Sequence, residues 1–174
     1  MLCMVLSMVD EPIEKRKVEQ LYEKYNRLMY VVAYNILKQH EEAEDAVIAS
    51  WEKIIRHLDK ISEIECRETK NFIVIIVERT SIDMYRAKYR KHEISLDEYE
   101  EMPYYATHDK DIQNFEMSEL FRSMPKKYSE VLMLKYINGF SHKEIGEILN
   151  LREGTVSSRL SRASQILRSK LQSI

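Results

Sequence analysis

The chain has 174 residues, 44% of them hydrophobic and 32% charged, with three Gly, three Pro, two Cys and a formal net charge of −2. That apolar content supports one or two small domains with cores of their own, and so little Gly and Pro favours helices over strands and turns. Cys3 and Cys66 lie far apart and match no metal-ligand spacing, which excludes a disulfide framework and leaves free thiols in a reducing cytosol.

The opening MLCMVLSMVD is apolar but has no basic leader and no small-residue cleavage site, and it is too short to span a bilayer. Residues 1–12 therefore read as a frayed terminus, with Met4 and Met8 as alternative starts. A first helical period runs from about Ile13 to Lys38, with Leu21, Tyr25, Leu28, Val32 and Ile36 on one face. KQHEEAED makes a polar corner. A second helix follows to about Leu58, its apolar line being Val47, Trp51, Ile54 and Leu58. DKISEIECRETK reads as a loop or short helix.

NFIVIIVERTSIDMYRAKYRK is ambiguous. Its six apolar residues from Phe72 to Val77, rich in β-branches, suit a buried strand. No second strand lies nearby to pair with it, so a helix continuing to about Lys91 is expected. The tail carries Arg79, Arg86, Lys88, Arg90 and Lys91 against Asp83, with Tyr85 and Tyr89 one helical turn apart. Bases interleaved with aromatics suit single-stranded nucleic acid, where rings stack on bases and cations hold phosphates. A basic helix end snorkelling along the surface gives the same pattern.

Residues 93–111 are acidic, contain Pro103 and lack clean periodicity, as an extended linker would. The charge divides accordingly. Residues 1–92 hold 16 Lys/Arg against 16 Asp/Glu, residues 93–117 hold one against eight, and residues 118–174 hold ten against five. A neutral front, an acidic middle and a basic end read as two modules and a connector.

Beyond the linker, Met117, Leu120, Phe121 and Met124 mark one helix, and Val131, Leu132 and Leu134 a second that starts at Pro125 and stops at Asn138-Gly139-Phe140. Ser141 followed three residues later by Glu144 fits a capping box, and Ile145, Ile148 and Leu149 then form one stripe. After Asn150-Leu151-Arg152 a last helix opens near Glu153, with Val156, Leu160, Ala163, Leu167 and Leu171 on a narrow face. The opposite face reads Ser158, Ser161, Arg162 and Gln165, flanked by Thr155 and Arg159, and carries no acid. Two helices joined by a short turn, the second presenting hydroxyls, an amide and arginines, match a helix-turn-helix DNA reader. There Arg pairs with guanine and Gln with adenine. A solvated helix face has the same composition.

Taken in order, the AED corner at 43–45, the SIDMYRAKYRK helix end, the acidic linker, the MPKKYSEVLMLKYINGFSHKEI run and GTVSSRLSRA resemble bacterial RNA polymerase sigma factors of the extracytoplasmic-function (ECF, group IV) type. The resemblance covers roughly residues 18–172. It implies an all-α fold of two small helical domains joined by an acidic linker: a region 2 bundle over 13–92, the linker over 93–111, and a region 4 four-helix helix-turn-helix domain over 112–174.

It further implies a role for each motif. Glu44, Asp45 and Ile48 would dock on the polymerase clamp helices. Lys70, Asn71, Arg79, Tyr85, Arg86, Lys88, Tyr89 and Arg90 would hold the downstream (−10) element and its melted strand, with an unstacked base captured near Glu65–Lys70. Lys143, Arg152, Thr155, Ser157, Ser158, Arg159, Ser161, Arg162 and Gln165 would read the upstream (−35) element. The partners implied are bacterial core RNA polymerase, promoter DNA as duplex and as melted strand, and an anti-sigma factor. No cofactor, metal or membrane insertion is implied, and the location is the cytoplasm.

Five positions depart from the family pattern. Ile48 and Ala49 replace a usual Gln and Glu. Arg79 replaces a frequent Asn, which favours a phosphate contact there. Ser157 and Ser164 stand where bases are common, which lowers the positive charge of the upstream reader. The residues show no nucleophile–base set, no paired carboxylates with a pocket signal, no Gly-rich phosphate loop and no metal spacing, and the five His scatter, so an enzyme is not expected. The remaining alternative is a stand-alone helix-turn-helix regulator with a helical sensor or partner domain, which would footprint a duplex operator without polymerase.

Overall fold

The computed structural model describes residues 1–88 and 124–171, and the chain divides into two compact units, Met1–Glu93 and Ile94–Ile174. The described residues form helices and no strands. The expected linker, the helix expected around Met117–Phe121, and Tyr89, Arg90 and Lys91 fall outside the described residues.

Unit 1 contains α1 (Leu2–Leu6), α2 (Pro12–Leu37), α3 (His40–Ile55), a 3-10 turn (Leu58–Lys60) and α4 (Arg67–Lys88). Pro12 stands at the start of α2, where its missing N–H costs nothing. Lys38 ends α2 in the left-handed region at φ 59°, its N–H donating to the Tyr34 carbonyl, and α3 opens two residues later. Glu41 and Glu42 in the first turn of α3 and Lys53 in the last complement the helix dipole.

The apolar line of α3 stands as read: Val47, Trp51 and Ile54 are buried, and Leu58 joins them from the 3-10 turn. Trp51 stacks on Tyr22 at 5.7 Å, and its indole N–H donates to Asn26 Oδ1 at 3.1 Å. In α2 the buried line is Val18, Leu21, Tyr25, Met29, Val32, Ala33 and Leu37, while Leu28 and Ile36 are half-buried. A helix turns slightly more than three and a half residues at a time, so over 26 residues the stripe drifts past a fixed pattern of fours.

Phe72 to Val77 are all buried in α4, which packs against both α2 and α3. A helix covered on every side needs no amphipathic spacing, and packing overrides the strand preference of its β-branched residues. The first twelve residues depart from the expected fraying. Val5 and Val9 are buried, at 0% and 4% exposure, where α1 packs on α2 and α3. A five-residue helix cannot hold itself together; burial of these two valines, about 1.5–3 kcal/mol each as an upper bound, holds it.

Unit 2 contains α5 (Lys126–Leu132), which opens after Pro125 and runs on into a π-helical turn at Met133–Ile137, then α6 (His142–Leu149) and α7 (Glu153–Leu171). The chain leaves the π turn through Gly139 at φ 75°, a left-handed conformation that suits glycine, and drops Phe140 fully into the core. Met124, Val131, Leu134, Phe140, Ile145, Ile148, Val156, Leu160 and Ala163 form that core, with α7 packed on both α5 and α6.

Candidate nucleic-acid interface

The turn between α6 and α7 is set by side chains. Ser141 Oγ accepts the Glu144 N–H at 3.2 Å, and the Glu144 carboxylate accepts the Ser141 N–H at 2.7 Å, so both halves of the capping box form. Asn150 closes α6 in the left-handed region at φ 54°, and the Leu151 N–H donates to the Gly146 carbonyl at 2.8 Å. A Cβ on Gly146 would stand 2.7 Å from the Leu151 carbonyl oxygen. Only glycine lets the chain fold back this closely. The sequence signals this residue only as a glycine inside a helical stripe.

Val156, Leu160 and Ala163 anchor α7, so its other face turns outward. Arg152, Ser157, Ser158, Ser161, Arg162 and Gln165 are exposed along it, Thr155 and Arg159 are half-buried at its flank, and Lys143 is exposed on α6. The Ser158 hydroxyl donates to the Thr155 carbonyl at 2.9 Å, which leaves its lone pairs to accept from outside. The acid in the α7 segment is Glu153, confined to the first turn. Short, acid-free and cationic, this face fits a groove bounded by phosphates.

In unit 1, Glu44 and Asp45 are exposed in the first half of α3, and Ile48 is half-buried one turn on. Lys70 and Asn71 are half-buried in the opening turn and a half of α4, and Tyr85 and Arg86 are half-buried near its other end. Lys88 is exposed and ion-paired to Glu42 of α3. Lys53 Nζ donates to Thr80 Oγ1 at 3.0 Å. Burial lowers the pKa of its ammonium below the ordinary 10.5, against the pull of Asp83, with Arg56 adding to the lowering.

Arg79 departs from the expected phosphate contact. It is 3% exposed, because it falls on the same helical line as the buried Ile75 and Ile82. Three of the cations near the α4 end are thus engaged or covered within unit 1.

Comparison with known proteins places both units. Residues 21–91 match the family model for sigma-70 region 2, and residues 115–167 match that for sigma-70, region 4. The ECF RNA polymerase sigma factor SigW of Bacillus subtilis (strain 168) is 30% identical over 165 residues, covering 86% of this chain and 86% of that protein. RNA polymerase sigma factor SigV of the same organism is 27% identical over 142 residues, covering 82% and 83%. A solved structure, the sigma factor RpoE in complex with the anti-sigma factor NepR from Bartonella quintana, shares 20% identity at a TM-score of 0.40, over 90% of this chain and 98% of that one. The chain belongs to the ECF family of RNA polymerase sigma factors.

Proposed function

We propose that this sigma factor directs core RNA polymerase to promoters through three separate contacts. Exposed Glu44 and Asp45, with Ile48 beside them, dock on the polymerase, where a carboxylate facing an arginine makes a charge-assisted contact. The two ends of α4 and the residues just past it hold the −10 element and its melted strand: Lys70 and Asn71 at one end, and Tyr85, Arg86, Lys88, Tyr89 and Arg90 at the other. The α7 face, from Arg152 to Gln165 with Lys143 of α6, reads the −35 element. The acidic segment at 93–111 ties the two grips together. The chain makes and breaks no covalent bond itself, and it works in the cytoplasm, where the polymerase is. Its partners are core polymerase, promoter DNA as duplex and as melted strand, and, as the family relationship implies, an anti-sigma factor.

The observation that carries this reading is the α7 face, exposed and free of acid over three turns on a helix whose turn is fixed by a capping box and a glycine. The test is transcription in vitro with purified core polymerase and mapping of start sites. Defined starts should appear only when the chain is added. Footprinting of a duplex operator by the chain alone, with no polymerase-dependent start, would establish the stand-alone regulator instead.

A further inference from the structure

Residues 61–66, between the 3-10 turn and α4, lie outside the helices. Among the described residues, none of the 62–66 amides pairs with a backbone carbonyl. Their course is fixed by side chains. From α2, Tyr25 Oη donates to the Ile64 carbonyl at 2.6 Å, Lys24 pairs with Glu65 at 3.1 Å, and Lys17 Nζ reaches the Leu58 carbonyl at 2.7 Å. From α4, Thr69 turns back: its hydroxyl donates to the Glu63 carbonyl at 2.6 Å, and the side chain is buried at 4% exposure.

Cys66 closes the ring. Its sulfur accepts the Thr69 N–H at 3.4 Å, the geometry of a helix N-cap made by a thiol where serine is usual. Its proton lies within reach of the Glu63 carbonyl at 3.2 Å and of Thr69 Oγ1 at 3.3 Å. The Cys66 carbonyl takes the Lys70 N–H at 3.2 Å, so the ring sets the direction in which Lys70 and Asn71 leave the helix start.

We propose that Cys66 and Thr69 are positioning residues for promoter selection. Their bonds lock the 61–66 segment onto the first turn of α4 and so hold Lys70 and Asn71 in one orientation toward the −10 element. This rests on the assignment of α4 to the −10 element given above. A thiol cap is a weak acceptor, and it serves here because Thr69 satisfies Glu63 with a short bond of its own. Serine at position 66 would make the same cap with a better acceptor, whereas alanine would remove it.

The test uses the full chain with core polymerase on two promoter panels, one varied in the −10 element and one in the −35 element. Thr69→Val removes the hydroxyl and keeps the shape; Cys66→Ala removes the cap, and Cys66→Ser restores it. Thr69→Val and Cys66→Ala should each lower discrimination among −10 variants by about tenfold, the scale of one lost hydrogen bond. Discrimination among −35 variants and retention of core polymerase should stay unchanged, and Cys66→Ser should restore −10 discrimination. Equal losses on both panels, or no loss on either, would overturn the proposal, as would failure of Cys66→Ser to differ from Cys66→Ala. Should Thr69→Val not fold, the two Cys66 variants decide alone. A wild-type chain that gives no polymerase-dependent start fails the functional assignment itself, which is a separate outcome.

Discussion

Gly146→Ala pits two opposite effects against each other at one atom. In a helix interior, alanine is favoured over glycine by about 1 kcal/mol. The new Cβ, however, would lie 2.7 Å from the Leu151 carbonyl oxygen, a backbone atom that cannot rotate away. Relieving that contact displaces Leu151 and strains the Leu151 N–H bond to the Gly146 carbonyl, now 2.8 Å. Overpacking of this kind costs about 1–3 kcal/mol, and a weakened hydrogen bond adds about 0.5–1.5. The clash therefore wins, by about 0.5–3.5 kcal/mol.

Amide exchange on the full chain reads the loss locally. Protection across α6 and α7 should fall about tenfold, while α2 to α4 keep theirs. The single tryptophan, Trp51, lies in unit 1, so its emission should not change. Gly154→Ala is the matched control. Nothing beyond its chain neighbours and own helix backbone lies within 4 Å of its Cβ position, so alanine there should be neutral or stabilising by a few tenths of a kcal/mol. Unchanged or raised protection in Gly146→Ala would refute the claim that the turn depends on this close approach.

Four further outcomes are expected. Arg162→Ala should weaken promoter use at particular −35 bases, by about 1–3 kcal/mol at each base it reads, in a panel of promoter variants; a uniform loss would make it a phosphate contact. Asp45→Arg should reduce retention of core polymerase in a pull-down, and unchanged retention would count against docking through the first half of α3. Tyr85→Ala should lower the yield of open complex more than duplex binding, measured by permanganate reactivity beside a gel shift. For Lys53 the sign follows from burial. Its folded pKa lies below the unfolded 10.5, so in the interval between them the unfolded chain binds more protons and stability rises with pH. Lys53→Met should flatten that rise in urea titrations approaching pH 10.5, and an unaltered slope would show that the shift has another source.

The parts of this molecule legible in the sequence are those with a short local code. Ser141 and Glu144 sit three apart and cap each other as the pattern requires, and Val156, Leu160 and Ala163 are buried because a helix of ordinary pitch puts them on one side. Arg79 could not be read this way: its charge says surface, yet its register with Ile75 and Ile82 places it inside, and the register counts only once α4 has neighbours on every side. The same holds for α1, which has no code of its own and depends on what Val5 and Val9 meet. The 61–66 segment has no period of its own, since its shape comes from Tyr25 and Lys24, some forty residues back in the chain, and from Thr69 just past it.

The buried and paired cations also bear on why such a chain needs the polymerase. A basic α4 end promises strong binding to nucleic acid. In the folded unit, Arg79 is covered, Lys53 is held by Thr80 with Asp83 opposite, and Lys88 pairs with Glu42 on the helix that also carries Glu44 and Asp45. The Lys88 end of the pair is open to solvent while Glu42 is half-buried; such a pair is worth about 1 kcal/mol and weakens with salt, so a phosphate competes with it once the strand is close. With Lys88 in the proposed −10 contact, the pair withholds one phosphate contact from the free chain, and each phosphate contact supplies part of the salt-dependent affinity. Glu42→Gln should therefore raise binding of the isolated chain to single strands and steepen its dependence on salt by about one unit of slope. No change in that slope would mean that Lys88 faces no phosphate and that the α4 end is basic for some other reason.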